Sequence, residues 1–249
     1  MRLALTRLAM AAVLAPLVLG LTACGKKDQA AAPVSAAPIA KIAPPAGKAW
    51  TDLIAKTPEG GYLMGNPQAP IKFVEYGSLS CPHCAHFAQE GFQKLTGDYV
   101  ASGRVSFEFR SFVIHPQDVP LTVLAGCSTT EAFIPLVEQI YANFDALSAA
   151  TERGAKQAET AMALPDNQRF VALADVLGLT PFFASRGIST DQAKACLADP
   201  ARASAVANRA EEYGKQGVDS TPTLMINGSK LPGNTWAETE SALQQAGAR

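Results

Sequence analysis

Apolar, β-branched and aromatic residues crowd into Ile71-Lys-Phe-Val-Glu-Tyr-Gly77, a run of strand length that stops at a glycine. Directly after it the period changes. Ala85, Ala88, Phe92 and Leu95 recur at three- and four-residue spacing up to Gly97, which predicts a helix whose first turn holds Pro82. In Val105-Ser-Phe-Glu-Phe-Arg-Ser-Phe-Val113, Val105, Phe107 and Phe109 alternate with polar positions and predict a second strand. Strand, helix, strand implies parallel pairing in a sheet covered by helices, an α/β arrangement. Near the other end, Thr223-Leu-Met-Ile226 enters the tight-turn pair Asn227-Gly228, with a short return at Lys230 and Leu231. Thr235 and Glu238 then form a capping box for a terminal helix carrying Trp236 and Leu243.

Between these halves the pattern is helical throughout. Phe133, Leu136, Val137, Ile140, Tyr141 and Phe144 make one apolar stripe; Phe170, Leu173, Ala174 and Leu177 make another, stopped at Gly178. Ser189 with Gln192 resembles a capping box before the helix holding Cys196, and Asp199-Pro200 opens a last helix carrying Val206, Ala210 and Tyr213. The stripes read as core, and the segment as a helical insertion over about residues 117–216.

The first residues carry a different signal. Arg2 and Arg7 precede an apolar stretch from Leu8 to Ala23, the pattern of an export signal over 1–23 and short for a membrane span. Leu21-Thr-Ala-Cys24 resembles the lipobox of bacterial lipoproteins, which would make Cys24 the lipidated residue. Residues 24–48, rich in alanine, proline and lysine, read as a flexible tether ahead of a folded domain over 49–249. The net charge of −1 gives no reason to expect a nucleic-acid partner.

The chemistry sits at the strand-to-helix junction, in Cys81-Pro-His-Cys84. The unpaired amides and positive end of a helix N-terminus favour a thiolate at Cys81, and a protonated His83 would add to the effect. Cys84, one turn deeper, is placed to resolve mixed disulfides formed at Cys81. Haem attachment would need histidine where Ala85 stands. A metal site drawing on Cys81, Cys84, His83 or His86 lacks a second Cys-x-x-Cys pair. An inert staple across two residues would constrain the unfolded chain little. Of the five cysteines, setting aside Cys24 leaves Cys127 and Cys196 as the second pair, expected as a structural disulfide, with two buried free thiols as the alternative.

Three segments together resemble the DsbA-like branch of the thioredoxin superfamily: Gly65-Asn-Pro-Gln-Ala-Pro70, Glu75-Tyr-Gly-Ser-Leu-Ser-Cys-Pro-His-Cys84 and Ser220-Thr-Pro-Thr-Leu-Met-Ile-Asn-Gly228. The likeness spans roughly residues 58–247. It implies a thioredoxin fold, a central mixed sheet flanked by helices with an inserted all-helical subdomain. It also implies that Pro222 is a cis-proline facing the thiols, that Thr221 before it contacts substrate backbone, and that Glu75 is a buried acid serving Cys84. Pro82-His83 resembles the dipeptide of oxidising members. The implied activity is a thiol-disulfide oxidoreductase, in the first place an oxidase, needing no cofactor. Its expected setting is the periplasmic face of a bacterial membrane, held by the lipid on Cys24. The expected partners are reduced or unfolded exported proteins and a quinone-linked membrane re-oxidant, and the expected state is a monomer. The alternatives are a disulfide isomerase or reductant of the same fold, and a non-catalytic metal- or peptide-binding lipoprotein. His86 and His115 read as structural or solvent-facing.

Overall fold

The computed structural model describes residues 36–249. The expected signal over 1–23, Cys24 and the tether up to residue 35 lie outside the described residues. A six-stranded sheet in the order β1-β2-β4-β3-β5-β6 organises the fold. Its strands are Ile54–Lys56 (β1), Tyr62–Gly65 (β2), Ile71–Gly77 (β3), Val105–Ser111 (β4), Thr223–Ile226 (β5) and Ser229–Lys230 (β6). β3 and β4 are parallel, with Phe73 opposite Phe107, Glu75 opposite Phe109 and Gly77 opposite Ser111; every other neighbouring pair is antiparallel. This is the mixed sheet of the thioredoxin fold, and helix α1 (Pro82–Lys94) is the β3–β4 crossover.

Alternation along β3 divides its neighbours. Phe73 faces α1, its ring 6.2 Å from Phe87, whereas Tyr76 turns to the opposite face and meets Tyr213 edge-on at 5.0 Å. The expected helix end at Gly97 is overrun. The chain passes from α1 into a π-helical turn, Leu95–Val100, because Leu95, Tyr99 and Val100 are all buried there. Periodicity also misses the β1–β2 hairpin, since three- and four-residue strands are too short to show an alternation. The second crossover strand is shorter than its sequence pattern: Phe112 still donates to Gly77 O at 2.8 Å, but β4 ends at Ser111. At the far edge, Asn227 and Gly228 have φ of 50° and 80°, the backbone that the two-residue turn between β5 and β6 requires.

Seven helices lie between β4 and β5: Asp118–Ala125 (α2), Phe133–Ala142 (α3), Phe144–Met162 (α4), Asp166–Val176 (α5), Leu179–Ala184 (α6), Thr190–Leu197 (α7) and Pro200–Lys215 (α8). The first apolar stripe splits between two helices, with Phe133 to Tyr141 buried on α3 and Phe144 opening α4. Ser189 caps α7 by accepting from Gln192 N at 3.2 Å. The reciprocal arm of a capping box is missing because the Gln192 side chain donates to Cys127 O at 2.7 Å. Helix α9 (Trp236–Gln245) does carry the complete Thr235–Glu238 box.

Residues 36–48 depart from the expected tether. Ala36 N donates to Gln245 O at 2.8 Å, Ile39 N to Gly247 O at 2.9 Å and Ile42 N to Ser102 O at 2.9 Å. Trp50 Nε1 donates to Ile42 O at 2.8 Å, and Arg104 reaches the carbonyls of Ile39 and Arg249. Proline-rich composition removes helix and strand signals but leaves the remaining amides free to dock, so this part of the segment packs on the domain.

Cys127 and Cys196 are joined, Cα to Cα 6.2 Å, and the bond ties the end of α2 to α7 inside the helical insertion. A sequence separation of 69 corresponds to roughly 4 kcal/mol in the chain-entropy account. Replacing both cysteines by alanine is therefore expected to lower stability by about 2–4 kcal/mol in urea unfolding. A change under about 0.5 kcal/mol would show that the bond constrains little.

Candidate active site

Cys81 ends the β3–α1 turn and takes the N-cap position of α1, with extended φ and ψ of −87° and 123° and proline at the first helical position. Its own side chain accepts no capping bond, so the sulfur is free to face outward from the helix end. Cys84 lies one turn in and is fully buried at 0% exposure, against 4% for Cys81. An incoming sulfur can therefore reach only Cys81. Across the cleft, the Thr221-Pro222 bond is cis, and Cys81 Sγ lies 3.5 Å from Thr221 O.

The two thiols are driven apart in acidity. Cys81 is lowered to about 5, chiefly by the hydrogen bond from Cys84; burial opposes this, while Thr221 and the backbone amides of Cys84 and His83 add to it. Cys84 is raised well above its ordinary value of 9.0, first by burial, then by its bond to Cys81 and the nearby charge of Glu75. Glu75 points from β3 beneath α1, 2% exposed, and its Oε1 has no hydrogen-bond partner among the described residues. Burial, and then the charge of Cys81, raise its pKa from 4.5 to about 8. Beside it lies a cavity of about 10 Å³, bordered by Phe87, Ala88 and Tyr141, which is about the space of one water.

Sequence reasoning passed over the group that shapes the turn. Asp118, the first residue of α2 and 1% exposed, gathers the loop with its carboxylate. Ser78 Oγ donates to it at 2.9 and 3.0 Å, Ser80 N at 2.9 Å, Ile114 N at 2.9 Å and His115 N at 3.0 Å. From α3, Tyr141 donates its hydroxyl to Ser78 O at 3.0 Å. His115 Nδ1 lies 2.9 Å from Ser80 Oγ, so this histidine joins the border of the site. His83 is exposed on α1, as is His86, which lies 3.6 Å from Glu90. An acid three residues after His115, just before an apolar helix, was the available signal for Asp118, but only the fold brings it to Ser78 and Ser80.

A family model described as thioredoxin matches residues 57–245. The chain belongs to the thioredoxin family. Among solved structures, it is similar to a protein-disulfide isomerase from Novosphingobium aromaticivorans, 28% identical over 73% of this chain and 94% of that one, with a TM-score of 0.69. It shares its fold with Wolbachia pipientis alpha-DsbA1, 20% identical over 75% of this chain and 90% of that one, at a TM-score of 0.60. Disulfide bond formation protein D of Bacillus subtilis is 33% identical over 68 residues, 27% of this chain and 31% of that relative. The chain thus matches about a third of the length of its curated relatives.

The thioredoxin-family arrangement has a consequence for pH. Glu75 ionises near 4.5 when unfolded and near 8 when folded, so between those values the unfolded chain binds fewer protons and stability falls as pH rises. Cys81 runs the other way in the reduced protein. Its folded value near 5 lies below its unfolded 9.0, and its contribution is lost as pH falls through about 5. The two slopes oppose each other between about pH 5 and 8; oxidation removes the thiol's share and, with the Cys81 charge gone, leaves burial alone to raise Glu75. Urea unfolding of the oxidised protein should therefore show stability dropping by about 2–4 kcal/mol from pH 5 to pH 8, with Glu75→Gln abolishing the drop. Equal slopes in the two proteins would exclude a buried, titrating Glu75.

Proposed function

We propose that this protein is an exported thiol-disulfide oxidoreductase that oxidises dithiols of folding proteins through Cys81 and Cys84. The observation that carries this reading is the split acidity of the two thiols, an exposed-side Cys81 held low and a sealed Cys84 held high. In the oxidised enzyme a substrate thiolate attacks Cys81 Sγ, forming a mixed disulfide and expelling Cys84. That sulfur is a poor thiolate, and protonated Glu75 is the nearby acid that supplies its proton and regains one from solvent before Cys81 leaves as a thiolate. A second substrate thiolate then attacks the substrate sulfur of the mixed disulfide. Cys81 leaves as the stabilised thiolate, two electrons having passed from substrate dithiol to enzyme disulfide. Stabilising this reduced state makes the disulfide a strong oxidant.

Thr221, next to Cys81 at the edge of the cleft, is the residue whose backbone pairs with an extended substrate chain. Pro82 and His83, on the exposed first turn of α1, tune the redox poise in this reading. The export signal and the lipobox-like Leu21-Thr-Ala-Cys24 support a lipid-anchored protein at the periplasmic face, and the resemblance to DsbA-like proteins supports re-oxidation by a quinone-linked membrane partner. A signal, a tether and a single folded domain are the corresponding organisation, with a monomer as the working state. The isomerase reading keeps support from the Novosphingobium structure, which is titled a protein-disulfide isomerase.

Cys84→Ser should accumulate a stable mixed disulfide when its Cys81 thiolate attacks a disulfide-bonded model substrate and releases the other substrate sulfur as a thiol, and Cys81→Ser should lose dithiol oxidation by about a hundredfold or more. Thiolate absorbance of the reduced protein should titrate with a midpoint near 5. A potential near that of thioredoxin, about −270 mV, would overturn the oxidase direction. Faster repair of scrambled disulfides than oxidation of dithiols would favour the isomerase.

A further inference from the structure

A second cavity, of about 290 Å³, opens between the β1–β2 hairpin and the insertion, and neither active-site cysteine lines it. One wall is α8, which presents Arg202, Ala205, Val206 and Arg209 at the spacing of a single helix face. The other is the hairpin, with Lys56, Thr57 and Tyr62, and the base is made by Ser111 at the end of β4 with Thr122 and Val123 of α2. The hairpin is stapled to α8 by Tyr213, whose hydroxyl donates to Glu59 O at 2.6 Å.

Three features of the lining point to a ligand. First, its charges are all positive: Lys56, Arg202 and Arg209, with no carboxylate among the described lining residues. Arg202 and Arg209 pair with Asp199 at 3.5 Å and Glu212 at 2.8 Å, each within one exposed stretch of α8, and such pairs hold little energy against a competing anion. Second, Ser111 Oγ and Thr122 Oγ1 are buried with no hydrogen-bond partner among the described residues. Buried hydroxyls normally have one, and both residues belong to this cavity. Third, the space between has an apolar wall. Tyr62 stacks on Phe133 with ring centroids 3.5 Å apart, and Val123 and Val206 continue the surface.

We infer that this cavity binds a small organic carboxylate whose charge meets Arg202 and Lys56 at the mouth and whose far end bears an oxygen that pairs with Ser111 and Thr122. The volume lies at the lower end of ligand sites, which limits the occupant to a compact acid or one chain-terminal residue. The inference stands apart from the thiol chemistry.

The test is an amide-shift titration of the oxidised full-length protein with 4-hydroxyphenylacetate. Saturable binding at about 1 mM or tighter is expected, with shifts at Thr122 and Gly126. The uncharged 4-hydroxyphenylacetamide and the hydroxyl-free phenylacetate should each bind at least about fivefold more weakly. Arg202→Gln with Lys56→Gln should weaken binding at least tenfold, and Thr122→Val should erase the preference for the hydroxyl while the charge preference remains. Dithiol oxidation by these variants serves as the control for folding and should be unchanged. N-acetyl-L-tyrosine binding as tightly as the free acid identifies a chain end as the source; tenfold weaker binding identifies a free acid. No saturation by about 10 mM, equal binding of the amide, or wild-type affinity in the double variant would overturn the inference.

Discussion

The buried space beneath the first turn of α1 accommodates one negative charge, and much of the local structure follows from that limit. Cys81, Cys84, Glu75 and Tyr141 lie close together there, and a charge on Cys81 raises the pKa of each of the other three. Placing the charge on Cys81 uses the donors available at the helix end: the amides of His83 and Cys84, the Cys84 thiol and Thr221. No comparable set surrounds Glu75, whose Oε1 lacks a partner. The carboxyl therefore keeps its proton while the thiol gives its proton up, an inversion of their ordinary order.

That inversion depends on the conformation of the β3–α1 turn, and the insertion supplies hydrogen bonds that restrain it. Asp118 comes from α2 and Tyr141 from α3, and together they bind Ser78 through its hydroxyl and its carbonyl. The buried Asp118 carboxylate accepts from two backbone amides beyond the turn as well, which offsets the loss of water around it. A helical segment inserted between β4 and β5 is thus a wall of the site. Its disulfide acts at a distance, fixing α2 against α7 so that the start of α2 stays where Ser78 and Ser80 need it.

Much of this was legible in the chain because the signals are local. Ile71–Gly77 and the helix after it announce themselves by a change of period, and the Thr235–Glu238 box by residue type at fixed spacing. Cys81 and Cys84 are recognisable by spacing, whereas Glu75 is singled out by the resemblance to DsbA-like proteins, because a charge in an apolar strand could equally lie solvated at an edge. What escaped is non-local or short. Asp118 is forty residues from Ser78 and acquires its role only when α2 docks against the β3–α1 turn. The β1–β2 hairpin is too brief for periodicity, and residues 36–48 dock through backbone amides that composition does not report.

The relation between access and acidity completes the picture. Cys81 is only marginally exposed, so an attacking sulfur must approach along the narrow line between α1 and the Thr221-Pro222 segment. In the proposed reaction, an extended substrate chain would lie along the backbone at Thr221. Cys84 is screened by the same packing that raises its pKa. One arrangement thereby sets both the order of bond exchange and the identity of the leaving group: the reachable sulfur is the stable thiolate, and the sealed sulfur is the one that must be protonated.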